Sequence, residues 1–319
     1  MFRSFVSALS LSALLVVSAS AQAEVRLLTS IKPLQLIAAA VQDGMGEPGL
    51  LLPPGASAHH HSLRPSDLRR LGNAELFYWI GPDMEGFLID VLKARQVPAL
   101  AVQELPGLQL RYFHEREPAE ADHGQSHQGQ SHGQAHGHDH DHDHKPGSLD
   151  AHLWLLPANA RVIAARMAAD LGQADPANAE HYAENLQAFG ERLDALDERL
   201  RQRIVAVQGK PYFVFHQAYD YLEAAYGLQH EGVFNLSGEV QPGARHVAQL
   251  RQRLEQTGPS CVFSEPPLRP RLVDTLTAGL PVQSAELDPL GTETPATAQG
   301  YEQFIEGLAD DLAGCLEKL

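Results

Sequence analysis

Cysteine is nearly absent: Cys261 and Cys315 are the only two in 319 residues. Their separation does not resemble a zinc-binding cysteine pair, so a cysteine-based metal cluster is excluded. Cationic residues are also scarce, with 24 Lys and Arg against 40 Asp and Glu and a net charge of −16. That balance argues against nucleic acid as a partner. It is compatible with a cationic ligand, and equally with solubility alone. No His-Glu-x-x-His helix and no Gly-x-Ser-x-Gly elbow occurs, which removes two common hydrolase signatures. No internal repeat is evident, and no segment is apolar for long enough to span a bilayer.

What is present begins with an export signal over residues 1–23. Arg3 supplies charge, Ala8 to Val17 an apolar core, and Ala19-Ser-Ala21 and Ala21-Gln-Ala23 small-x-small cleavage sites. The mature chain is expected from about Gln22 or Glu24, exported, soluble and without a membrane anchor, since no cysteine lies near the cleavage site. In an exported protein an isolated cysteine pair reads as a disulfide, with two buried thiols as the alternative. Closing a loop of that length stabilises a fold by roughly 4 kcal/mol in the chain-entropy model.

With 44% hydrophobic residues the remaining chain can build a sizeable core, and its length suggests two domains. Over residues 24–158, short apolar runs at Glu24–Thr29, Leu50–Leu52, Leu76–Ile80 and Val97–Val102 alternate with helical patterns. Those patterns lie at Ile31–Asp43, around Leu68 and Leu71, and at Met84–Arg95. Strands alternating with helices predict an α/β lobe with a mainly parallel sheet. The composition breaks at residues 114–146. From His114 to His144 no apolar residue is larger than alanine or proline, and the run ends His136-Gly-His138-Asp-His140-Asp-His142-Asp-His144. Such a stretch cannot bury enough surface to offset its ordering entropy, so a disordered His-rich loop is expected. Its many equivalent imidazoles suit weak, exchangeable zinc sites, against a solvated spacer.

Residues 159–209 are predicted to be helical. Tyr182, Leu186, Phe189, Leu193, Leu196, Leu200 and Ile204 mark one apolar face of a helix running from Pro176 towards Gly209. About thirty residues make a rod of roughly 45–50 Å, long enough to join two lobes. A coiled-coil dimer is the competing reading. Residues 210–319 repeat the α/β pattern, with strands at Tyr212–Phe215, Gly258–Phe263 and Val282–Leu287 and helices between them.

Leu51-Leu-Pro-Pro-Gly-Ala-Ser-Ala-His59-His60-His61 places three histidines on a loop between a strand and a helix start. Taken alone the triplet reads equally as a solvated polar loop. His216 and Asp288 follow the C-terminal ends of strands, the edge where open α/β sheets form their ligand crevice. His59 follows a strand in the same way, and His152 is expected at another strand edge, beside the apolar Leu153–Leu156 run, where a lone histidine is more often structural. The shared placement carries the argument: two groups from each lobe can converge on the cleft, and imidazoles with a carboxylate or water suit zinc.

Six segments taken together resemble a known family. They are Gly55-Ala-Ser-Ala-His59 with Ser62-Leu-Arg-Pro-Ser-Asp67, Gly81-Pro-Asp-Met-Glu85, His152-Leu-Trp-Leu, Phe213-Val-Phe-His216-Gln-Ala-Tyr219, Gln241-Pro-Gly243 and Leu287-Asp-Pro-Leu-Gly291. In this order they resemble the periplasmic zinc receptors of high-affinity zinc ABC importers, within the metal-receptor group of solute-binding proteins. The resemblance implies two similar α/β lobes joined by one long helix, with the metal site in the cleft between them. It implies ligands at His59, His152 and His216, with His60 and His61 where the family varies. A histidine rather than a glutamate at 216 favours zinc over manganese. Some zinc receptors carry glutamate just before the first histidine, and here that position is Ala58. The fourth ligand is thereby left among water, Asp288 and, more weakly, Glu265.

The expected function is capture of Zn2+ in the periplasm and its delivery to an inner-membrane ABC permease with a cytoplasmic ATPase. The protein is expected to be a monomer and not an enzyme. A manganese or iron receptor of the same fold is the nearest alternative. An exported zinc hydrolase is the alternative from another class, because three protein ligands plus water also make a catalytic zinc site.

Overall fold

The structure, a computed structural model, describes residues 24–94, 98–113, 147–235, 243–266 and 271–319. The export signal and the His-rich tract lie outside the described residues. The first sheet consists of β1 (Leu27–Thr29), β2 (Gly49–Leu50), β3 (Leu76–Trp79) and β4 (Ala99–Ala101), all parallel in the order β2-β1-β3-β4. Between them run α1 (Lys32–Val41), α2 (Pro65–Asn73) and α3 (Ile89–Lys93). Pro33 lies in the first turn of α1, where its missing N–H costs nothing. The pattern over Met84–Arg95 resolves into a 3₁₀ turn at Gly86–Leu88 and then the short α3.

Two helices follow, α4 (Pro157–Ala174) and α5 (Ala179–Val205), separated by a 3₁₀ turn at Pro176–Asn178. The second sheet has β5 (Tyr212–His216), β6 (Gly232–Asn235), β7 (Ser260–Ser264) and β8 (Val282–Glu286), parallel in the order β6-β5-β7-β8. Its helices are α6 (Asp220–Tyr226), α7 (Ala244–Thr257), α8 (Arg271–Thr277) and α9 (Gly300–Leu316).

Two sequence expectations change here. The second lobe has four strands rather than three. Gly232-Val-Phe-Asn235 has only two apolar residues, too few to read as a buried run. It approaches β5 closely: a Cβ at residue 232 would lie 3.0 Å from the ring of Phe213. The run after His152 is no strand either, but a 3₁₀ turn at Leu153–Leu155. Its backbone is captured by side chains instead of a ladder, with Asn159 Nδ2 donating to Leu153 O at 3.1 Å.

The apolar face of α5 is buried inside this one chain. Tyr182, Phe189, Leu193, Leu196, Leu200 and Ile204 are all covered, and α5 packs on α1, α4 and α9. The face is thus already used, and the coiled-coil reading falls. One apolar cluster runs from Val25 in the first lobe to Leu316 on the last helix, so the two sheets share a core. Arginines along α5 pair with carboxylates on α9: Arg192 with Glu302, Arg199 with Glu306 and Arg203 with Asp310. A disulfide joins Cys261 on β7 to Cys315 on α9.

Candidate metal centre

His59 follows β2 after the turn at Pro53-Pro54-Gly55, where Gly55 adopts φ +76°. Ser57 Oγ accepts from the backbone N–H of His59 at 3.2 Å and of His60 at 3.1 Å, which fixes the loop. The triplet then diverges. His60 is exposed, and His61 packs its ring edge-on against Phe87 with Nε2 4.0 Å from Asp67 Oδ2. His59 faces His152 and His216, with ring centroids 5.5 and 6.2 Å away.

His152 is almost wholly buried, and Asp150 holds it. One oxygen, Asp150 Oδ1, lies 3.0 Å from the His152 backbone N and 2.8 Å from Nδ1. His216 ends β5, and its Nδ1 stands 2.5 Å from Glu265 Oε2, just beyond β7. Glu265 Oε1 in turn accepts from the Tyr219 hydroxyl at 3.2 Å. In both His152 and His216, Nδ1 thus faces a carboxylate, which selects the Nδ1–H tautomer and makes Nε2 the ligating nitrogen. The two Nε2 atoms are 3.2 Å apart. Two nitrogens on one tetrahedral zinc, each at 2.0–2.1 Å, are separated by about 3.3 Å. Ligating atoms of His59, His152 and His216 all fall within 4.8 Å of one another.

Burial pushes the Asp150 carboxyl well above the usual carboxylate range, and the nearby charges of Asp220 and Glu223 act in the same direction. A dication on His152 opposes that shift, because it favours the ionised neighbour.

Asp288 lines the same cavity but stands outside the group of three histidines. Its two oxygens accept backbone N–H groups from its own loop, Leu290 at 2.9 Å and Thr292 at 2.6 Å. The cavity encloses about 380 Å³, and its wall includes Met84, Trp154, Phe215 and Leu290. A larger space of about 510 Å³ lies among α4, α5 and α6. There Arg161 and Arg201 are paired with Asp194 and Asp197, and no ligating group gathers among the described residues.

Asp150 carries a role that the sequence reading did not give it, although Asp-x-His in Asp150-Ala-His152 was a signal that could have found it. A second cluster, Asp220, Glu223 and His230, was also missed. Its members are engaged with one another and with neighbours: Glu223 Oε1 accepts from the Tyr212 hydroxyl at 2.6 Å and lies 2.7 Å from His230 Nδ1, and Asp220 Oδ2 accepts from Gln217 at 2.6 Å.

Residues 27–315 match the model of a family described as zinc-uptake complex component A, periplasmic. The high-affinity zinc uptake system protein ZnuA of Brucella suis biovar 1 (strain 1330) is 40% identical over 304 residues, covering 91% of each chain. The protein of the same name from Yersinia pestis is 37% identical over 307 residues, covering 96% of each. Among solved structures, a ZnuA crystal structure superposes with a TM-score of 0.73 at 21% identity, covering 92% of this chain and 100% of the other. The periplasmic zinc-binding protein TroA of Treponema pallidum gives 0.72 at 18% identity, covering 92% and 99%. At these identities the structures speak for the fold.

Proposed function

The chain belongs to the family of periplasmic component A of zinc-uptake complexes, and from that premise we propose that His59, His152 and His216 hold its zinc. The protein is a periplasmic zinc-binding receptor of high-affinity zinc uptake, and Zn2+ is its cargo. Receptors of this kind deliver the ion to an ABC permease. The finer reading is a monomer exported by cleavage of residues 1–23. Lobes 24–158 and 210–319 are joined by the helices of 159–209, and the His-rich tract buffers zinc close to the cleft.

One observation carries the ligand assignment: two Nε2 atoms at zinc-sharing distance, each with its Nδ1 held by a carboxylate. Three neutral imidazoles favour zinc over manganese, which prefers oxygen donors. In this reading Asp288 is a wall residue: it lines the cavity, stands outside the group of three histidines, and has its oxygens oriented by the N–H groups of its own loop. Water is then the simplest fourth ligand. The hydrolase reading lacks support because the carboxylates beside the histidines are spent on Nδ1 and are not poised over an open metal position.

Zinc titration of the mature protein against a competing chelator tests the assignment. His59→Ala, His152→Ala and His216→Ala are each expected to abolish one tight site while weaker sites persist. Tight binding that survives all three places the site elsewhere. Deleting residues 114–144 is expected to lower zinc stoichiometry and leave the tight site intact.

A further inference from the structure

We infer that Tyr219 is a positioning residue for zinc capture: its hydroxyl sets the Glu265 carboxylate that in turn aims His216 at the metal. This rests on the reading above that His216 ligates zinc. Tyr219 lies three residues after His216, at the start of α6, and is almost wholly buried. The turn between them is closed by the N–H of Ala218, which donates to the carbonyl of His216 at 3.0 Å. From there the Tyr219 hydroxyl reaches the ends of two further strands. It stands 3.2 Å from Glu265 Oε1, just beyond β7, and 3.3 Å from the carbonyl of Leu287, just beyond β8.

One hydroxyl carries one proton, so it donates fully to only one of these acceptors. The carboxylate is the stronger, because a bond to an ionised acceptor is roughly twice as strong as one between neutral groups. With the phenol proton on Oε1, the other oxygen, Oε2, is the one that meets His216 Nδ1 at 2.5 Å. A dication on His216 Nε2 draws electron density from the ring and strengthens the bond from Nδ1–H to that oxygen. The hydroxyl holds the carboxylate from its far side while this happens. Burial first, and then the charge of Glu265, push the Tyr219 phenol well above its ordinary value of 10, so it stays a donor. The carboxylate behind His152 has no such support. Asp150 Oδ1 meets the ring, while Oδ2 is buried without a hydrogen-bond partner among the described residues. The effect of Tyr219 therefore falls on the His216 side of the centre.

The experiment is chelator competition for zinc on the full mature chain, with Tyr219→Phe, Glu265→Gln and the double variant. Tyr219→Phe removes one oxygen and keeps the ring, so the core keeps its shape. It is expected to weaken zinc binding about three- to tenfold in the parent. In the Glu265→Gln background the same change is expected to cost less than about twofold, because the carboxylate it acts through is already gone. Equal losses in both backgrounds overturn the inference, since Tyr219 then acts on the fold alone. Unchanged affinity in Tyr219→Phe overturns it as well. Should that variant fail to fold, 3-fluorotyrosine at position 219 supplies the opposite change, a more acidic phenol and a stronger donor. Zinc is then expected to bind more tightly, and no gain overturns the inference. His216→Ala separates this inference from the reading it rests on. Tight binding that survives His216→Ala overturns the ligand assignment itself; tight binding lost there but untouched by Tyr219→Phe overturns only the role of Tyr219.

Discussion

The indole N–H of Trp154 donates to the carbonyl of Pro289 at 2.8 Å, and so ties the segment that carries His152 to the loop that carries Asp288. Trp154 is fully buried, and its own carbonyl accepts from the Tyr301 hydroxyl at 2.8 Å. The bond joins parts of the chain that belong to different lobes. Together with the shared core and the α5–α9 pairing, it connects the two lobes beside the metal centre.

Trp154→Phe is therefore expected to cost about 1–3 kcal/mol, because it leaves the Pro289 carbonyl buried without its donor and opens space in the core. Urea unfolding with and without zinc measures it. If the tie also limits lobe motion, hydrogen exchange in the loop at 288–292 is expected to quicken in the variant. A variant as stable as the parent, with unchanged exchange, would show that the tie is incidental.

The carboxylates behind the histidines make a second prediction. Asp150→Asn and Glu265→Gln keep an acceptor for Nδ1 but remove the charge that strengthens the ligand. Each is expected to lower zinc affinity about 10- to 100-fold while the fold persists. Chelator competition reads the affinity, and far-UV circular dichroism reads the fold. Equal affinities in parent and variants would mean that the imidazoles are oriented by packing alone.

How much of this was legible in the sequence depends on the kind of signal. Open parallel sheets form their ligand crevice at the C-terminal ends of strands, and that rule pointed to His59, His216 and Asp288, which line one cavity. Periodicity gave the apolar face of α5, which is buried at Tyr182, Phe189, Leu193, Leu196, Leu200 and Ile204 and half-buried at Leu186. The remainder depended on tertiary capture. Asp150 is separated from His152 by one residue, and that Asp-x-His spacing was a usable local signal, but the burial that makes the contact matter is tertiary. The 3₁₀ turn after His152 likewise exists because Asn159 and Asp150 take up its backbone groups. The strand β6 was hidden because only two of its four residues are apolar. That the histidine triplet splits, with only His59 facing the cluster, rests on Phe87 and Asp67 drawing His61 aside.

The close approach of α9 to the first lobe yields a third prediction. A Cβ at residue 300 would lie 2.5 Å from the carbonyl oxygen of Pro295 and 2.9 Å from Leu36 Cδ2 on α1. Backbone on one side and a buried leucine on the other leave no flexible neighbour to yield. Gly300→Ala is expected to destabilise by about 1–3 kcal/mol, although alanine is the better helix former. A thermal melt that rises in the variant would show that propensity outweighs the contact.

Glu85 supplies the last prediction, a dependence on pH. It is fully buried, and Oε2 accepts from the backbone N–H of Ile80 at 2.6 Å and of Gly81 at 3.3 Å. Burial pushes its carboxyl up to about 7, against an ordinary value of 4.5, while the backbone bonds oppose the shift. Between those two values the folded chain keeps a proton that the unfolded chain has released. Stability from this group is therefore undiminished below pH 4.5 and falls as pH rises towards 7. The loss amounts to about 3 kcal/mol at most. Glu85→Gln retains an acceptor for both N–H groups and cannot ionise. The variant is expected to exceed the parent by about 2–3 kcal/mol at pH 8, with the gap closing as pH falls to 4.5. Urea midpoints of both proteins over that range measure the difference. A gap that stays constant with pH would mean that the Glu85 proton is not retained on folding, and that its burial is offset by some other charge.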